Sequence, residues 1–329
     1  MLVPRLREIR ARATRYQGLL FAACGLVLGL CGCAESADTP LVGRPGGPYE
    51  LVLTTAPVAP QPGAETWLEF TLTYTATGKP VTDLQLAHER YLHTFITDLG
   101  FRSFAHIHHE DFAAVSEADR RAGRLRFPYR FPQAGHYRIV SEFAHRDRNW
   151  VKQFELVVGE PGASATAAAI EPARVSEVGD FTARLRLHPE VPRAGFETDL
   201  SLHLERHGEP VTNLELYLGT ELHGAVWRED GRNFGHLHSY TPRVAAIMEL
   251  AHDRELEPAA RGPRIAEMMV QLMCLDAELV FNGPDIPMRT VFPQAGRYHG
   301  FLQGAPGGEP IVFPFVIDVA APAAVVDAS

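Results

Sequence analysis

Histidine is the residue type whose number and spacing in this sequence could support chemistry. The chain has 15 His, and a neutral imidazole can act as a general base or as a ligand of a transition metal. Six of them fall into two sets of the form H-x12-H-x-H, which recur at an offset of 130 residues, from 93 to 223. The sets are His93, His106, His108 and His223, His236, His238. No other histidine recurs at this offset, so these six are the candidate metal ligands.

The spacing of each set has a geometric meaning if the residues lie in β-strands. Side chains of a strand alternate between its two faces, so the last two His of each set point the same way, about 6.5–7 Å apart. A turn centred on Leu99-Gly100 would place His93 opposite His106. In the second set, a two-residue turn at Asp230-Gly231 would place the first His opposite the last. Either register gathers three imidazoles on one face, where they could bind a zinc or copper ion at about 2.0–2.1 Å.

The same faces also carry large aromatic side chains, which allows a second interpretation. These are Phe95, Phe104, Trp227 and Phe234. The faces could therefore be the inner faces of folded domains, with each His serving as a structural hydrogen-bonding group in the core. A one-residue change of register would move a whole strand's side chains to the opposite face. The sequence leaves both interpretations open.

A methionine-rich segment near the second set offers a different type of ligand. Its sulfur-containing residues are Met248, Met268, Met269, Met273, Cys274 and Met288. Thioether and thiol groups select Cu(I). The apolar residues of 265–273 also recur at helical spacing, and a methionine stripe on one helix face is typical of packing. The segment is interpreted as a short helical insert that could also contribute copper ligands.

Motifs of known enzyme classes are missing from the sequence, which contains no G-x-S-x-G, no P-loop and no G-x-G-x-x-G at the end of a strand. His88-Glu89 and His93 resemble a zincin helix, but the second His comes one residue too late to share a helix face with the first. The sequence therefore predicts a protein that is not an enzyme.

An internal repeat organises the elements that must position the histidines. Residues 78–84 (GKPVTDL) reappear as 208–214 (GEPVTNL), and residues 131–137 (FPQAGHY) match 292–298 (FPQAGRY) at a larger offset of 161, from 131 to 292. Short alternating runs separated by Gly, Pro and Asp are typical of a β-sandwich. The sequence predicts an all-β fold of two tandem Ig-like β-sandwich domains, the second with a short helical insert at about 241–276.

The predicted boundaries follow from composition and from the repeat. They are a lipoprotein signal peptide at 1–33, a tether at 34–48, the first sandwich at 49–158, a linker at 159–175, the second sandwich at 176–319 and a tail at 320–329. The hydrophobic content of 46% and the charged content of 22% exclude disordered and collagen-like classes. The net charge is −9 and no Lys/Arg block occurs beyond the first 15 residues, so we expect no nucleic-acid partner.

The N-terminal segment resembles the signal of a bacterial lipoprotein. Five Arg within the first 15 residues precede an apolar stretch at 18–32 that is short for a membrane span. The stretch ends in Leu30-Cys31-Gly32-Cys33, which resembles a lipobox with Cys33 as the lipidated residue. Ala34 follows, and the resemblance to enterobacterial lipoproteins then implies sorting to the outer membrane. We expect a membrane contact through this lipid anchor.

The segment from His93 to His108, followed by the motif at 131–137, resembles secreted bacterial domains of the YtkA-like kind. The general pattern is also similar to that of periplasmic copper-resistance sandwiches of the CopC type. The resemblance covers about 49–158 and 180–318, although a His at the mature N-terminus, typical of CopC-type proteins, is missing here. It implies a cell-envelope protein, facing the periplasm or the cell surface, that handles metal, especially copper.

Two functions are therefore expected from the sequence. The first is a lipid-anchored envelope protein that binds copper or zinc, with copper favoured, through the repeated histidine faces for metal handling or delivery. The alternative is a non-catalytic Ig-like interaction module, in which the histidines are structural and the Met-rich insert docks an envelope protein partner.

Overall fold

The computed structural model describes residues 47–146, 148–160, 171–239 and 283–322. The predicted signal peptide with Cys33, the helical insert at 241–276 and most of the tether, linker and tail lie outside the described residues. Among the described residues, no helix is long and apolar enough to cross a membrane.

Seven antiparallel strands form the first domain. They are β1 (Tyr49–Ala56), β2 (Glu65–Tyr74), β3 (Leu92–Asp98), β4 (Phe104–Ile107), β5 (Arg124–Arg130), β6 (Gly135–His145) and β7 (Arg148–Val158). One sheet has the order β1-β2-β5 and the other β4-β3-β6-β7. A short 3-10 helix, His109–Asp111, and helix α1, Glu117–Ala122, connect β4 to β5.

The second domain repeats this arrangement. Its strands are β8 (Val175–Val178), β9 (Phe181–His188), β10 (Glu197–Arg206), β11 (Glu209–Pro210), β12 (Leu214–Glu215), β13 (Leu222–Arg228), β14 (Phe234–His238), β15 (Asp285–Val291), β16 (Gly296–Pro306) and β17 (Ile311–Val319). Strands β9, β10 and β15 match β1, β2 and β5, while β14-β13-β16-β17 matches β4-β3-β6-β7. The prediction of an all-β fold built from two Ig-like sandwiches is confirmed.

Alternating burial along the strands builds a separate core in each sandwich. On β2, Leu68, Phe70 and Leu72 are buried while their neighbours are more exposed, as period-two alternation requires. They pack with Leu92, Ile96 and other apolar residues of the facing sheet. The second core is assembled in the same way around Leu202 on β10.

The repeated FPQAG motif closes the corner between the two sheets. In the first domain the Tyr137 hydroxyl donates to the Gln133 carbonyl at 2.9 Å, and in the second the Tyr298 hydroxyl donates to the Gln294 carbonyl at 2.8 Å. Both tyrosine rings are buried, so each hydroxyl needs a partner within the protein, and the glutamine carbonyl supplies it. This is the tyrosine corner of Ig-like sandwiches.

We expect Tyr137→Phe to lower the free energy of unfolding by about 1–3 kcal/mol, because the Gln133 carbonyl loses its donor while the ring packing stays. Urea unfolding followed by circular dichroism measures the change. Tyr91→Phe serves as a control tyrosine of the same core, away from this corner. An unchanged midpoint in Tyr137→Phe would show that the corner hydrogen bond contributes nothing.

Strand β3 is buried along its whole length because its two faces contact different cores. Leu92 and Ile96 face the interior of the first sandwich, whereas Phe95 joins a cluster with Trp227 and Phe234 of the second domain. The further members of this interface cluster are Phe101, Val140, Ala225 and Phe301, with Phe104, Val151 and Val312 packed against it. The outer faces of the sheets that contain β3 and β13 therefore pack on each other. The interpretation that these aromatic faces are the inner faces of the sandwiches is wrong, because each sandwich fills its interior with its own alternating apolar residues.

Candidate metal centre

The hairpins that carry the histidines differ in register. In the second domain His223 lies opposite His238, as predicted. In the first domain Phe95 lies opposite His106, so the predicted pairing of His93 with His106 is wrong and His93 stands across from His108. The centre of the turn lies one residue further along the chain than predicted. The buried Asp98 carboxylate fixes it there, because it accepts hydrogen bonds from backbone N–H groups of the following loop.

The first set of histidines converges to a triangle of nitrogen atoms. His93 Nδ1 lies 3.0 Å from His106 Nε2 and 3.1 Å from His108 Nε2, and the last two nitrogens are 3.0 Å apart. His93 is 1% exposed and His108 is fully buried. We name these three residues the first centre.

The outer nitrogen of each ring is already bonded to an oxygen acceptor. His93 Nε2 donates to the Ala87 carbonyl at 2.8 Å, His106 Nδ1 donates to the Gln303 side-chain oxygen at 3.2 Å, and His108 Nδ1 donates to Asp111 at 2.9 Å. Because each acceptor offers only lone pairs, the ring proton must sit on the outer nitrogen. A neutral imidazole has one N–H, so all three inner nitrogens carry bare lone pairs.

Burial keeps the rings of His93 and His106 in their neutral form. It lowers the pKa of His93 to about 2, and it lowers the pKa of His106 well below its ordinary value, with a further contribution from the repulsion of neighbouring histidines. The neutral imidazole is the form that binds metals.

The triangle has the size that a tetrahedral or trigonal metal site needs. Corners about 3 Å apart lie about 1.75 Å from their common centre, so an ion at about 2.0–2.1 Å from each nitrogen would sit about 1 Å above the plane. The outer contacts to a carbonyl, an amide and a carboxylate are the type of partners that orient metal-ligating histidines.

The second set forms a looser arrangement on the facing sheet. His223 Nδ1 lies 3.4 Å from His236 Nε2, and His223 Nε2 donates to the Leu218 carbonyl at 3.3 Å. His236 Nδ1 donates to Glu142 of the first domain at 2.9 Å. Burial lowers the pKa of His223 to about 3 and lowers that of His238 further.

In each histidine set, one ring bonds through its outer nitrogen to a side chain of the other domain. Glu142 and Gln303 occupy equivalent positions on β6 and β16, at the same offset of 161 that relates the FPQAG motifs. Glu142 accepts from His236 of the second domain, and Gln303 accepts from His106 of the first. The two histidine sets therefore face each other, and the structure brings them into one cluster at the domain interface.

His88 joins the cluster although sequence reasoning missed it. Its ring stacks on His238 with centroids 3.8 Å apart and an interplanar angle of 22°. Two groups have ligand atoms within 4.8 Å of one another, His93, His106, His236 and His88, His223, His238. His88 has Leu218 at the equivalent position, so no repeat signal marks it as a ligand, and the only signal in the sequence is its incomplete likeness, with His93, to a zincin helix.

Among the described residues, the methionine proposed as a ligand from the sequence does not enter the histidine cluster. Met288 is 1% exposed and packs in the core of the second sandwich with Leu200 and Leu202. The remaining methionines of the insert, Met248, Met268, Met269 and Met273, and Cys274 lie outside the described residues.

The metal-free protein should lose stability as the pH falls below about 6.5. His93 and His223 stay neutral in the fold but bind protons in the unfolded chain below their ordinary pKa of about 6.5. The unfolded state therefore binds more protons from about pH 6.5 down to the folded pKa values of about 2 and about 3, and the free energy of unfolding falls across that window. The loss is at most about 1.4 kcal/mol per pH unit for each histidine.

Urea unfolding in the presence of a chelator, at about pH 7.5 and about pH 5, measures this dependence. A variant with His93→Asn and His223→Asn should show a shallower slope, because two groups that titrate only in the unfolded state are gone. An identical slope in both proteins would contradict the assignment.

Comparisons with known proteins identify a family. The family described as "Domain of unknown function (DUF8832)" matches residues 46–160 and 176–321. No curated protein matches the chain. Similar solved structures include the Escherichia coli adhesin FdeC, with a TM-score of 0.24, 11% identity and coverage of 85% of this chain and 67% of that one.

Two further solved structures are similar over most of this chain. Invasin, a bacterial integrin-binding protein, has a TM-score of 0.21 and 11% identity, with 83% of this chain and 39% of that chain covered. Salmonella alpha-2-macroglobulin has a TM-score of 0.23 and 12% identity, with 87% and 15% covered. The chain thus spans only a small part of the macroglobulin, and none of these activities transfers to it.

Proposed function

The chain belongs to the DUF8832 family over both of its domains, and from that premise we propose that it is a transition-metal-binding protein of the bacterial cell envelope. The family description names no activity, so the proposal stands on the histidine cluster. The observation that carries it is the first centre, where three imidazole nitrogens lie 3.0–3.1 Å apart and every ring proton points outward.

Such an arrangement is unfavourable without a cation. Three lone pairs facing one another at van der Waals distance repel, and burial removes the water that would otherwise donate to them. An ion bonded to all three nitrogens would replace the repulsion by attraction. The outer contacts of His93, His106 and His108 supply the orientation that a metal site requires.

The chemistry of the donors narrows the choice of metal to copper or zinc. All donors are imidazoles, which suit both ions, and no carboxylate oxygen is among the inner donors. Copper is favoured because divalent copper binds nitrogen sites most strongly among the first-row metals. The resemblance to CopC-type and YtkA-like domains points to the same metal.

The location of the first centre favours retention of the ion. His93 and His108 are buried at the interface between two domains, so release requires local opening of the packed sheets. We therefore assign the protein to metal handling, in which it buffers copper or zinc and delivers the ion slowly.

Metal analysis of the purified full-length chain tests the proposal. After dialysis, the protein should retain at least about one copper or zinc ion per chain, and a variant with His93, His106 and His108 all changed to Ala should lose it. The sequence-based alternative, an interaction module with structural histidines, predicts no ion in either protein. A wild-type chain that binds neither Cu(I), Cu(II) nor Zn(II) on titration would overturn the proposal.

The envelope location is proposed from the N-terminal segment. Changing Cys33 to Ser should leave the protein without lipid and release it from the membrane fraction, because this thiol is the expected acyl acceptor. Cell fractionation and mass spectrometry of the mature N-terminus measure the outcome. Wild-type protein that is free of lipid and begins at another residue would contradict the anchor.

A further inference from the structure

We propose that His88, His223 and His238 form a second metal centre at the interface, distinct from the first and closer to solvent. This inference rests on the proposed function, since both centres would take the same class of ion, copper or zinc. One ligand atom from each of the three residues lies within 4.8 Å of the other two. The ligands come from both domains, so neither domain alone contains the site.

A buried nitrogen without a partner marks this second centre. His238 Nε2 is buried and has no hydrogen-bond partner among the described residues. An orphaned polar atom in the interior is unfavourable, and native structures rarely leave one without a ligand, ion or water. The ring of His238 lies between His88, stacked at 3.8 Å, and His223, edge-on at 4.8 Å.

A tight turn places His88 beside His238 and His223. The backbone groups of Ala87 and Arg90 bond to each other at 2.9 and 3.0 Å, and His88 and Glu89 both have positive φ angles, 45° and 66°. A turn with two left-handed residues usually takes Asn or Gly, so His and Glu are costly residues here. The Ala87 carbonyl of the same turn accepts from His93. One turn therefore orients a ligand of the first centre and presents a ligand to the second.

The second domain has no counterpart of His88. The equivalent turn, between Tyr217 and Thr220, carries the buried Leu218, whose side chain has no donor atom for a metal. The two copies of the repeat therefore differ at this turn, and the two centres have different ligand sets. The first centre contains the buried His93 and His108, whereas the second includes the half-buried His88 and His238.

His236 links the two centres. Its Nε2 lies 3.4 Å from His223 Nδ1, and the same residue groups with His93 and His106. An ion that enters beside His88 therefore has a continuous set of imidazole nitrogens between itself and the first centre. We expect the ion at the second centre to exchange with solvent faster than the buried one.

Metal stoichiometry of the full-length chain tests the second centre. The stripped protein is titrated separately with Zn(II) and Cu(II), and bound metal is measured by elemental analysis after gel filtration. Wild type should bind two ions, one of which a competing chelator removes faster. His88→Leu should bind one ion, because it copies the residue found in the second domain. His238→Ala should bind one ion as well.

Controls separate loss of the site from loss of the fold. His136→Leu makes the same change at an exposed histidine of β6 and should keep two ions. Thermal melts of His88→Leu should match wild type in chelator, since the changed side chain is only half-buried.

The possible outcomes distinguish this inference from the proposed function. A wild-type chain that binds one ion, retained in His88→Leu, overturns the second centre but leaves the first. Two ions in His88→Leu overturn the role of His88. No bound ion in wild type overturns the proposed function itself.

Discussion

His106→Ala should lower the affinity of the first centre for Cu(II) or Zn(II) by about 100-fold or more. Loss of only an outer partner of a metal-ligating histidine typically costs 10–100-fold, and His106 supplies one of the three inner nitrogens, 3.0 Å from each of the other two. The same result is expected for His93→Ala and His108→Ala. Competition titrations against a chelator of known affinity measure the change.

A graded variant and a control sharpen this test. Asp111→Ala leaves the three ligands in place but removes the carboxylate that fixes His108, so its affinity should fall by about 10–100-fold. His136→Ala changes an exposed histidine outside the cluster and should bind as wild type does. If the histidines were structural, the three alanine variants would lose about 1–3 kcal/mol of stability while metal binding stayed equal in all proteins.

Binding of copper or zinc should raise the thermal midpoint of the chain by about 5–10 °C. A ligand at 100 times its dissociation constant adds about 2.7 kcal/mol to the free energy of unfolding, and in chains of this size each kcal/mol is worth about 2–4 °C. The ligands of the cluster come from both sandwiches, with His236 backed by Glu142 and His106 backed by Gln303. The ion should therefore stabilise both domains together.

Differential scanning calorimetry with chelator and with added metal measures this effect. The His93→Ala, His106→Ala double variant should show a smaller rise than wild type, because the first centre is lost. A variant that also carries His88→Leu should melt at the same temperature under both conditions, because both centres are then lost. A wild-type midpoint that does not respond to metal would contradict a specific site.

His106 and His236 occupy equivalent positions in the repeat, but their different outer partners give them different affinities for a metal ion. Glu142 can hold a negative charge beside His236, whereas Gln303 offers His106 a neutral amide oxygen. A carboxylate behind an imidazole raises its basicity and its affinity for a metal. His236, which links the centres, is therefore the more strongly donating member of the pair.

Local periodicity along the sequence was enough to predict the strands and the residues that share a strand face. Alternation along strands predicted two β-sandwiches, and the H-x-H spacing placed His106 with His108 and His236 with His238 on common faces, because side chains of a strand repeat every second residue. The repeat also identified residues 131–137 and 292–298 as equivalent segments, and Tyr137 and Tyr298 make the same hydrogen bond there.

Which sheet faces pack together, and which residues complete the histidine cluster, depends on contacts between the two domains. The register of the first hairpin depends on how Asp98 holds the loop, and a shift of one residue in the turn changes the partner of His93. His88, Glu142 and Gln303 enter the cluster only because aromatic residues of both domains pack the two sheets together. Contacts between distant strands leave no period along the chain, so no spacing in the sequence could have predicted them.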